Sequence, residues 1–333
     1  MSDSTSAALR PVRVHAVRAE AQDVLSLDLR AHDGAPLPPF EPGSHIDVEI
    51  PALRGWPALQ RQYSLANDCT ERHRYVIGVG RDPASRGGSA ALHARIRAGD
   101  VLRIGSPRNN FALHAGGGHA ILIAGGIGIT PLLSMARRLA AGGRPWTLHY
   151  CVRTPARAAF LEELLALAAQ DGRGRVVIVF DRLPGNAMLD LEGVVRAAPA
   201  DAHFYCCGPA PMLKAFVRAT AGVAPGRVHV EWFSAPAVPA TTAPEESFRV
   251  RLERSARTLD VPPGRSILDV LLEGGVDVDY SCREGLCGTC ETRVLAGIPD
   301  HRDPIYAGRV HPPADRLMLC VSRCAGAELV LDL

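Results

Sequence analysis

The chain has 333 residues, enough at roughly 150 per domain for two or three domains with separate cores. Apolar residues make up 47% and charged residues 22%, which excludes a disordered or fibrous chain. A formal net charge of +2 is too small for a nucleic-acid-binding surface, and Lys214 is the sole lysine among 37 basic residues. The longest apolar tract, Ala120 to Met135, is broken by Gly125, Gly126, Gly128 and Pro131. It falls short of the ~20 residues a membrane span needs, so no membrane role is expected. Met1 to Arg10 holds no apolar signal region, which predicts a cytoplasmic protein. In that compartment the nine cysteines are expected as thiols or metal ligands, not disulfides.

From Leu9 to Leu113 the pattern is short β-rich runs broken by Gly and Pro: Val12–Val17, Val24–Leu29, Ser44–Ile50, Tyr75–Val79 and Val101–Ile104. Many short strands with frequent turns predict an antiparallel barrel or sandwich over residues 1–115. Two tetrapeptides stand out there. Arg61-Gln62-Tyr63-Ser64 and Arg86-Gly87-Gly88-Ser89 together offer two arginines, backbone N–H groups and hydroxyls at a probable helix start, a set suited to a phosphate. Taken singly, each is weak, and the bland reading, such as Arg61 as a surface arginine and Tyr63 as a core aromatic, is the better one.

Residues 116–234 change rhythm. Apolar runs (Ala120–Ala124, Thr147–Val152, Val176–Phe180, His203–Cys207, Val228–Val230) alternate with helical stretches at Pro131–Ala141, Pro155–Ala169, Leu189–Ala197 and Pro209–Ala221. That alternation predicts a parallel, doubly wound α/β sheet. Gly125-Gly126-Ile127-Gly128-Ile129-Thr130-Pro131 follows the first strand. Its glycines would let backbone approach a diphosphate at a helix N-terminus, with Thr130 as the cap and Pro131 opening the helix. A tight strand-to-helix turn without ligand has the same signature.

Residues 235–246 (APAVPATTAPEE) read as a semi-extended linker. The unit that follows, 247–333, alternates over Phe248–Leu252, predicts a helix at Ser266–Glu273 and holds the closely spaced cysteines. Cys282, Cys287 and Cys290 form C-x4-C-x2-C, with Cys320 further on. This is the plant-type 2Fe–2S pattern, and Gly285 and Gly288 suit a loop wrapped tightly around a cluster. Spacing alone leaves Cys324 open as the fourth ligand. A four-cysteine zinc interaction module is the alternative. Cys69, Cys151, Cys206 and Cys207 read as small buried hydrophobes. Asp269, Glu273, Asp277 and Asp279 form an acidic run just before the cluster loop, a candidate docking face.

With these motifs in this order, the chain resembles the phthalate dioxygenase reductase family from about Pro11 to Leu333. The resemblance implies a multidomain protein: a six-stranded flavin barrel, a nicotinamide domain and a β-grasp ferredoxin domain. It implies FMN, NADH and a 2Fe–2S cluster as cofactors, and a Rieske-type oxygenase as the electron acceptor. Arg61, Gln62, Tyr63 and Ser64 would contact the flavin, as would Gly78, Val79 and Gly80. Arg86, Gly87, Gly88 and Ser89 would hold its phosphate. Gly125, Gly126, Ile127, Gly128 and Thr130 would form the glycine loop, Cys207, Gly208 and Pro209 would sit by the nicotinamide, and Phe233 would lie against the flavin ring. Thr130, Cys207 and Phe233 would then form the hydride-transfer environment, with no acid–base residue required. The cluster ligands would be Cys282, Cys287, Cys290 and Cys320. An acceptor of O-demethylase type is the alternative within this path, and a monomer is expected. Relatives carry acidic residues where this chain has Arg153-Thr154-Pro155-Ala156-Arg157, which predicts a tolerance for a nucleotide 2′-phosphate.

Overall fold

The first sheet opens on an alternating segment: in β1 (Arg10–Ala21) Val12 and Val14 are buried while Pro11, Arg13 and His15 are exposed. The computed structural model describes residues 9–52, 58–82, 87–183, 185–234, 246–306 and 312–333, which fall in two units, Ala8–Phe233 and Ser234–Leu333. In the first unit β1 joins β2 (Val24–Ala31), β3 (His45–Ile50), β4 (Leu59–Ser64), β5 (Tyr75–Gly80) and β6 (Val101–Ile104). The strands are antiparallel, in the order β4-β3-β6-β1-β2-β5. A bridge between Leu65 and Ile77 ties the two edges, so the sheet closes into a barrel. Helix α1 (Gly88–Arg95) packs Ala91 and Leu92 onto the barrel core. β4 carries the Arg61–Ser64 motif. Only Ser64 in it is fully buried, so it shows none of the alternation that marks its neighbours.

The second half of this unit is a parallel sheet of β7 (Ala120–Gly125), β8 (Trp146–Val152), β9 (Gly174–Phe180), β10 (His203–Cys207) and β11 (Val228–Glu231), ordered β11-β10-β7-β8-β9. Helices α2 (Ile129–Ala141), α3 (Leu161–Asp171), α4 (Leu191–Ala197) and α5 (Ala210–Ala219) connect the strands. Ala120, Leu122 and Ala124 of β7 face Leu132, Met135 and Ala136 of α2. Ile121 and Ile123 face the other way, onto Leu213 and Phe216 of α5. Both faces are covered, which explains the unbroken apolar strands.

Two expectations change here. The helix expected over Pro155–Ala169 is a single 3-10 turn at Pro155–Arg157, then a break, then α3. Phe160 makes the break with a left-handed φ of 58°, a cost of roughly 1–2 kcal/mol that burial of its ring in the core offsets. Nor is Thr130 the cap of α2. A 3-10 turn at Gly126–Gly128 runs directly into the helix and Gly128 takes the capping position, so Thr130 lies in the first turn and donates its hydroxyl to the Ile127 carbonyl at 3.1 Å.

The second unit holds a mixed sheet of β12 (Phe248–Leu252), β13 (Arg257–Val261), β14 (Glu291–Ala296), β16 (Arg316–Met318) and β18 (Glu328–Leu331), ordered β13-β12-β18-β14-β16. β15 (Pro299–Asp300) and β17 (Arg323–Cys324) pair separately. Helix α6 (Ile267–Glu273), capped by the Ser266 hydroxyl accepting from the Asp269 N–H, lays Ile267, Leu268 and Leu271 on the sheet. A helix gripped by a mixed sheet is the β-grasp arrangement. Residues 235–245 of the expected linker lie outside the described residues. Among the described residues, no helix is long and apolar enough to cross a membrane.

A Cβ at Gly128 would lie 2.1 Å from the Cys207 carbonyl oxygen, against backbone that cannot yield. Gly128→Ala is therefore expected to destabilise the first unit by about 2–3 kcal/mol. Gly126→Ala, which meets nothing within 4 Å and carries only the strain of its φ of +55°, should cost about 1 kcal/mol. Urea denaturation of the two variants, compared with the parent, checks the ranking.

Candidate functional site

The C-terminal ends of β7 and β10 meet so closely that side chains are excluded between them. Besides Gly128 on Cys207, a Cβ at Gly125 would lie 2.6 Å from Pro209 Cδ and 2.8 Å from Met212 Sδ. Gly208 sits equally tightly, a Cβ there lying 3.0 Å from Gly125 Cα. Two of the loop glycines and the Cys207-Gly208-Pro209 turn are thus fitted to one another. Gly126 is the exception, with open space beside it at the start of the turn into α2. It is the position where backbone is bare toward a ligand, at the strand ends where doubly wound sheets bind dinucleotides.

The barrel reaches the same place through β5. A Cβ at Gly78 would lie 2.5 Å from Thr130 Cγ2, with Ile127 and Phe160 also in contact, and one at Gly80 would lie 3.3 Å from Ile127 Cβ. Val79, between them, points into the barrel core, and its carbonyl lies 2.9 Å from His93 Nε2. The Arg61 side chain lies over Gly88, whose added Cβ would be 2.8 Å from Arg61 Cγ. The two tetrapeptides are therefore adjacent. Gly87, with φ 102°, turns the chain into α1, and the Ser89 hydroxyl accepts from the Asp82 N–H at 3.3 Å. Arg86 lies outside the described residues. The Gln62 amide donates to buried Asp47 at 2.9 Å, and the other carboxylate oxygen of Asp47 takes Arg108 at 2.5 Å. Tyr63 packs against the barrel core, and burial pushes its phenol up from its ordinary pKa.

Two acidic residues that the sequence reading did not single out belong to this place. Glu231, the last residue of β11, is half-buried as a residue, with its carboxyl turned toward Ser64 and Cys207. Its Oε2 lies 3.5 Å from Ser64 Oγ and 3.8 Å from Cys207 Sγ. Burial pushes the Glu231 carboxyl up to about 8. Burial first, and Glu231 second, also raise the Cys207 thiol well above its usual value, so it is no thiolate nucleophile. Phe233, two residues on, is 42% exposed. Asp181 follows β9, beside the end of β8, and its buried Oδ1 has no hydrogen-bond partner, the chemistry of an acceptor for ribose hydroxyls. The signal for both was a carboxylate ending an apolar strand run.

In the second unit the loop after Tyr280 gathers four thiols. Among the described residues no three His, Cys, Asp or Glu side chains converge on a single-ion position. The sulfurs instead meet in a chain, Cys287 to Cys282 to Cys320 to Cys290. Four gathered thiols suit a 2Fe–2S cluster, which takes four thiolate ligands in all. Backbone N–H groups already point at the sulfurs. Glu284 and Leu286 donate to Cys282 Sγ at 3.3 and 3.4 Å, Gly285 to Cys320 Sγ at 3.3 Å, and Thr289 to Cys287 Sγ through its N–H at 3.4 Å and its hydroxyl at 3.1 Å. Donation from Cys287, Cys320 and the backbone holds Cys282 far below the usual thiol range. Gly285, at φ +71°, fits against Asp303 and Val321 with no room for a side chain. Cys324 is outside the group: it lies in β17 and accepts from the Gly326 N–H. The acidic run is partly neutralised, Asp269 by Arg283 at 3.1 Å and Glu273 by Arg265.

These parts define a pyridine-nucleotide-dependent flavin and iron–sulfur oxidoreductase. Residues 122–218 match the oxidoreductase NAD-binding domain family, and residues 250–325 match the 2Fe-2S iron-sulfur cluster binding domain family, which sets the zinc alternative aside. The chain is 50% identical to the phenoxybenzoate dioxygenase subunit beta of Ectopseudomonas oleovorans, over 99% of this chain and 100% of that one. It is 42% identical to a vanillate O-demethylase oxidoreductase of a Pseudomonas strain, over 97% and 99%. The solved structure of phthalate dioxygenase reductase, described as a modular structure for electron transfer from pyridine nucleotides to [2Fe-2S], superposes with a TM-score of 0.68 at 39% identity, over 98% of both chains. The chain belongs to the phthalate dioxygenase reductase family, and its cofactors are FMN, NADH and a 2Fe–2S cluster.

Glu231 yields a stability test. Its carboxyl, near 4.5 in the unfolded chain, rises to about 8 on folding, so the folded state holds the extra proton between those values. The stability this contributes is complete below pH 4.5 and is lost as pH climbs to 8, at about 1.4 kcal/mol per pH unit. Glu231→Gln keeps a neutral group of the same shape. It should flatten the fall in melting temperature across that window and leave the variant the more stable protein at pH 9.

Proposed function

We propose that the chain is the reductase component of a Rieske-type aromatic-ring oxygenase system, oxidising NADH and delivering single electrons to a separate oxygenase. The observation that carries this reading is the meeting of Ser64, Cys207 and Glu231 at the barrel–nucleotide junction, in one chain with a four-thiol loop whose backbone donors already face sulfur. In this reading residues 1–115 are the flavin barrel, 116–234 the nicotinamide domain, 235–246 a linker and 247–333 the ferredoxin domain.

The residues divide the work. Arg61, Arg86, Gly87, Gly88 and Ser89 hold the FMN phosphate. Tyr63, Ser64, the Gly78–Gly80 backbone, Thr130 and Phe233 border the flavin ring. The open backbone at Gly126 in the Gly125–Gly128 loop takes the nucleotide diphosphate, Asp181 a ribose hydroxyl, and Cys207 to Pro209 the nicotinamide. Bound there, FMN supplies the conversion of a two-electron hydride into single electrons for the cluster. The protein's task is to hold both rings in contact, ~3–3.5 Å apart. Ser64, the Cys207 thiol and the protonated Glu231 provide a polar but uncharged wall that excludes water. Cys282, Cys287, Cys290 and Cys320 hold the cluster. The acceptor is a dioxygenase in the first reading. The likeness to a demethylase reductase favours an O-demethylase as the second, and the oxygenase that is reduced decides between them. The protein is expected to act as a soluble monomer.

Cys290→Ser separates the two halves of the path, since a serine oxygen is a poorer ligand for iron than thiolate. The variant should lose the cluster's visible absorbance, keep FMN, and reduce a small dye from NADH at the parental rate. Reduction of the oxygenase should stop. Parental rates with the oxygenase would refute the route through these thiols.

A further inference from the structure

The turn after β8 carries Arg153 and Arg157, which by sequence alone suit a 2′-phosphate. The structure treats them differently. Arg153 is exposed at the strand end. Arg157 reaches away from the nucleotide sheet to the β1–β2 hairpin of the barrel, where its Nη2 lies 2.8 Å from Asp23 Oδ2. The hairpin is shaped for this contact. Asp23 adopts a left-handed φ of 61°, its carbonyl accepts from the Arg81 N–H at 2.7 Å, and the adjacent Gln22 N–H donates to the Ala156 carbonyl at 2.7 Å. Backbone and side chain thus fasten the same two turns.

We propose that Asp23 is a specificity-determining residue: it holds Arg157 in a barrel ion pair and so withholds a 2′-phosphate partner from the nucleotide site. The inference rests on the nucleotide-site reading above and adds to it a residue from the flavin barrel. Its logic is competitive. A guanidinium gives its bidentate face to one anion at a time, and Asp23 offers that anion within the protein itself, with no ordering cost on nucleotide binding. In a doubly wound sheet the ribose 2′ position falls at the end of the second strand, which here is β8. Arg157 lies five residues beyond the last residue of that strand. Opposite, at the end of β9, the Asp181 oxygen without a partner favours a hydroxyl over a phosphate. Pairing Arg157 with Asp23 therefore removes a cation from a place where an anion already disfavours the 2′-phosphate.

The test compares calorimetric binding of 5′-ADP and 2′,5′-ADP to the FMN-loaded full chain. Asp23→Asn keeps the size of the side chain but releases the arginine. It should tighten 2′,5′-ADP binding about tenfold and leave 5′-ADP within twofold. Adding Arg157→Ala to Asp23→Asn should cancel that gain. Arg157→Ala alone should leave the 2′,5′-ADP affinity where it was, because the parental arginine is already occupied. Steady-state kcat/KM for NADPH over NADH should move with the binding ratio. A purely mechanical clamp would change melting temperature without changing the ratio of the two affinities, and that result overturns the proposal. So does a loss of 2′,5′-ADP affinity in Arg157→Ala alone, which would place the arginine on the phosphate in the parent. A parent that binds neither ligand overturns this inference together with the nucleotide-site reading, whereas intact 5′-ADP binding isolates the failure to Asp23.

Discussion

The carbonyl oxygen of Cys207 occupies the space where a side chain of residue 128 would stand. That exclusion seats the turn after β7 against the end of β10, its parallel neighbour, and the rest of the site depends on it. With the two strand ends in register, the Cys207 sulfur faces Glu231 on β11, and the chain between Gly125 and Gly128 has no course but a tight 3-10 turn into α2. The barrel then approaches the same turn with a second pair of side-chain-free positions, Gly78 and Gly80. Glycine at these places serves packing as much as ligand approach. The diphosphate reading of the loop narrows accordingly to Gly126, where backbone stands open.

The four-thiol loop solves a different problem by the same means. Thiolates gathered in a loop repel one another unless donors surround them, and five donors from Glu284, Gly285, Leu286 and Thr289 already do so. Gly285 is decisive because its N–H reaches Cys320 where an added Cβ would lie 2.7 Å from Asp303 Cβ, so a side chain is blocked. Sequence spacing fixed three of the ligands unaided. Spacing left Cys324 open and the family resemblance favoured Cys320; in the fold Cys324 pairs within the small β15–β17 ladder.

What was legible in the sequence follows from what periodicity records. β7 and β10 were plain because they are buried on both faces, and β1 because its first half alternates. β4 was visible only as a motif: its residues 59–63 are all half-buried, so apolar alternation never appears. The α3 boundary was misjudged because the residues of 155–169 are helix-compatible throughout. Only the tertiary need to bury Phe160 against β5 breaks them. Glu231 and Asp181 escaped notice because a carboxylate at a strand end is ordinary in sequence. What distinguishes them is enclosure, a property of the folded chain alone.

One electrostatic policy runs through the first unit. Where the barrel meets the nucleotide sheet, burial pushes the Glu231 carboxyl up to about 8 and raises the Cys207 thiol well above its usual value. Further out, charges are present but matched, Arg157 by Asp23, Arg108 by Asp47 and Arg74 by Glu71 and Asp28. In the proposed nucleotide site the means of holding a nucleotide are then the bare backbone at Gly126 and the Asp181 oxygen without a partner, both away from the nicotinamide. Such contacts are indifferent to whether the nicotinamide carries its positive charge. Oxidised and reduced nucleotide carry different charge on the ring that turns over. A fixed anion beside that ring would bind the oxidised form more tightly and slow its release. In the proposed site a neutral wall would remove that bias, so that one site would admit the reduced nucleotide and let the oxidised one go.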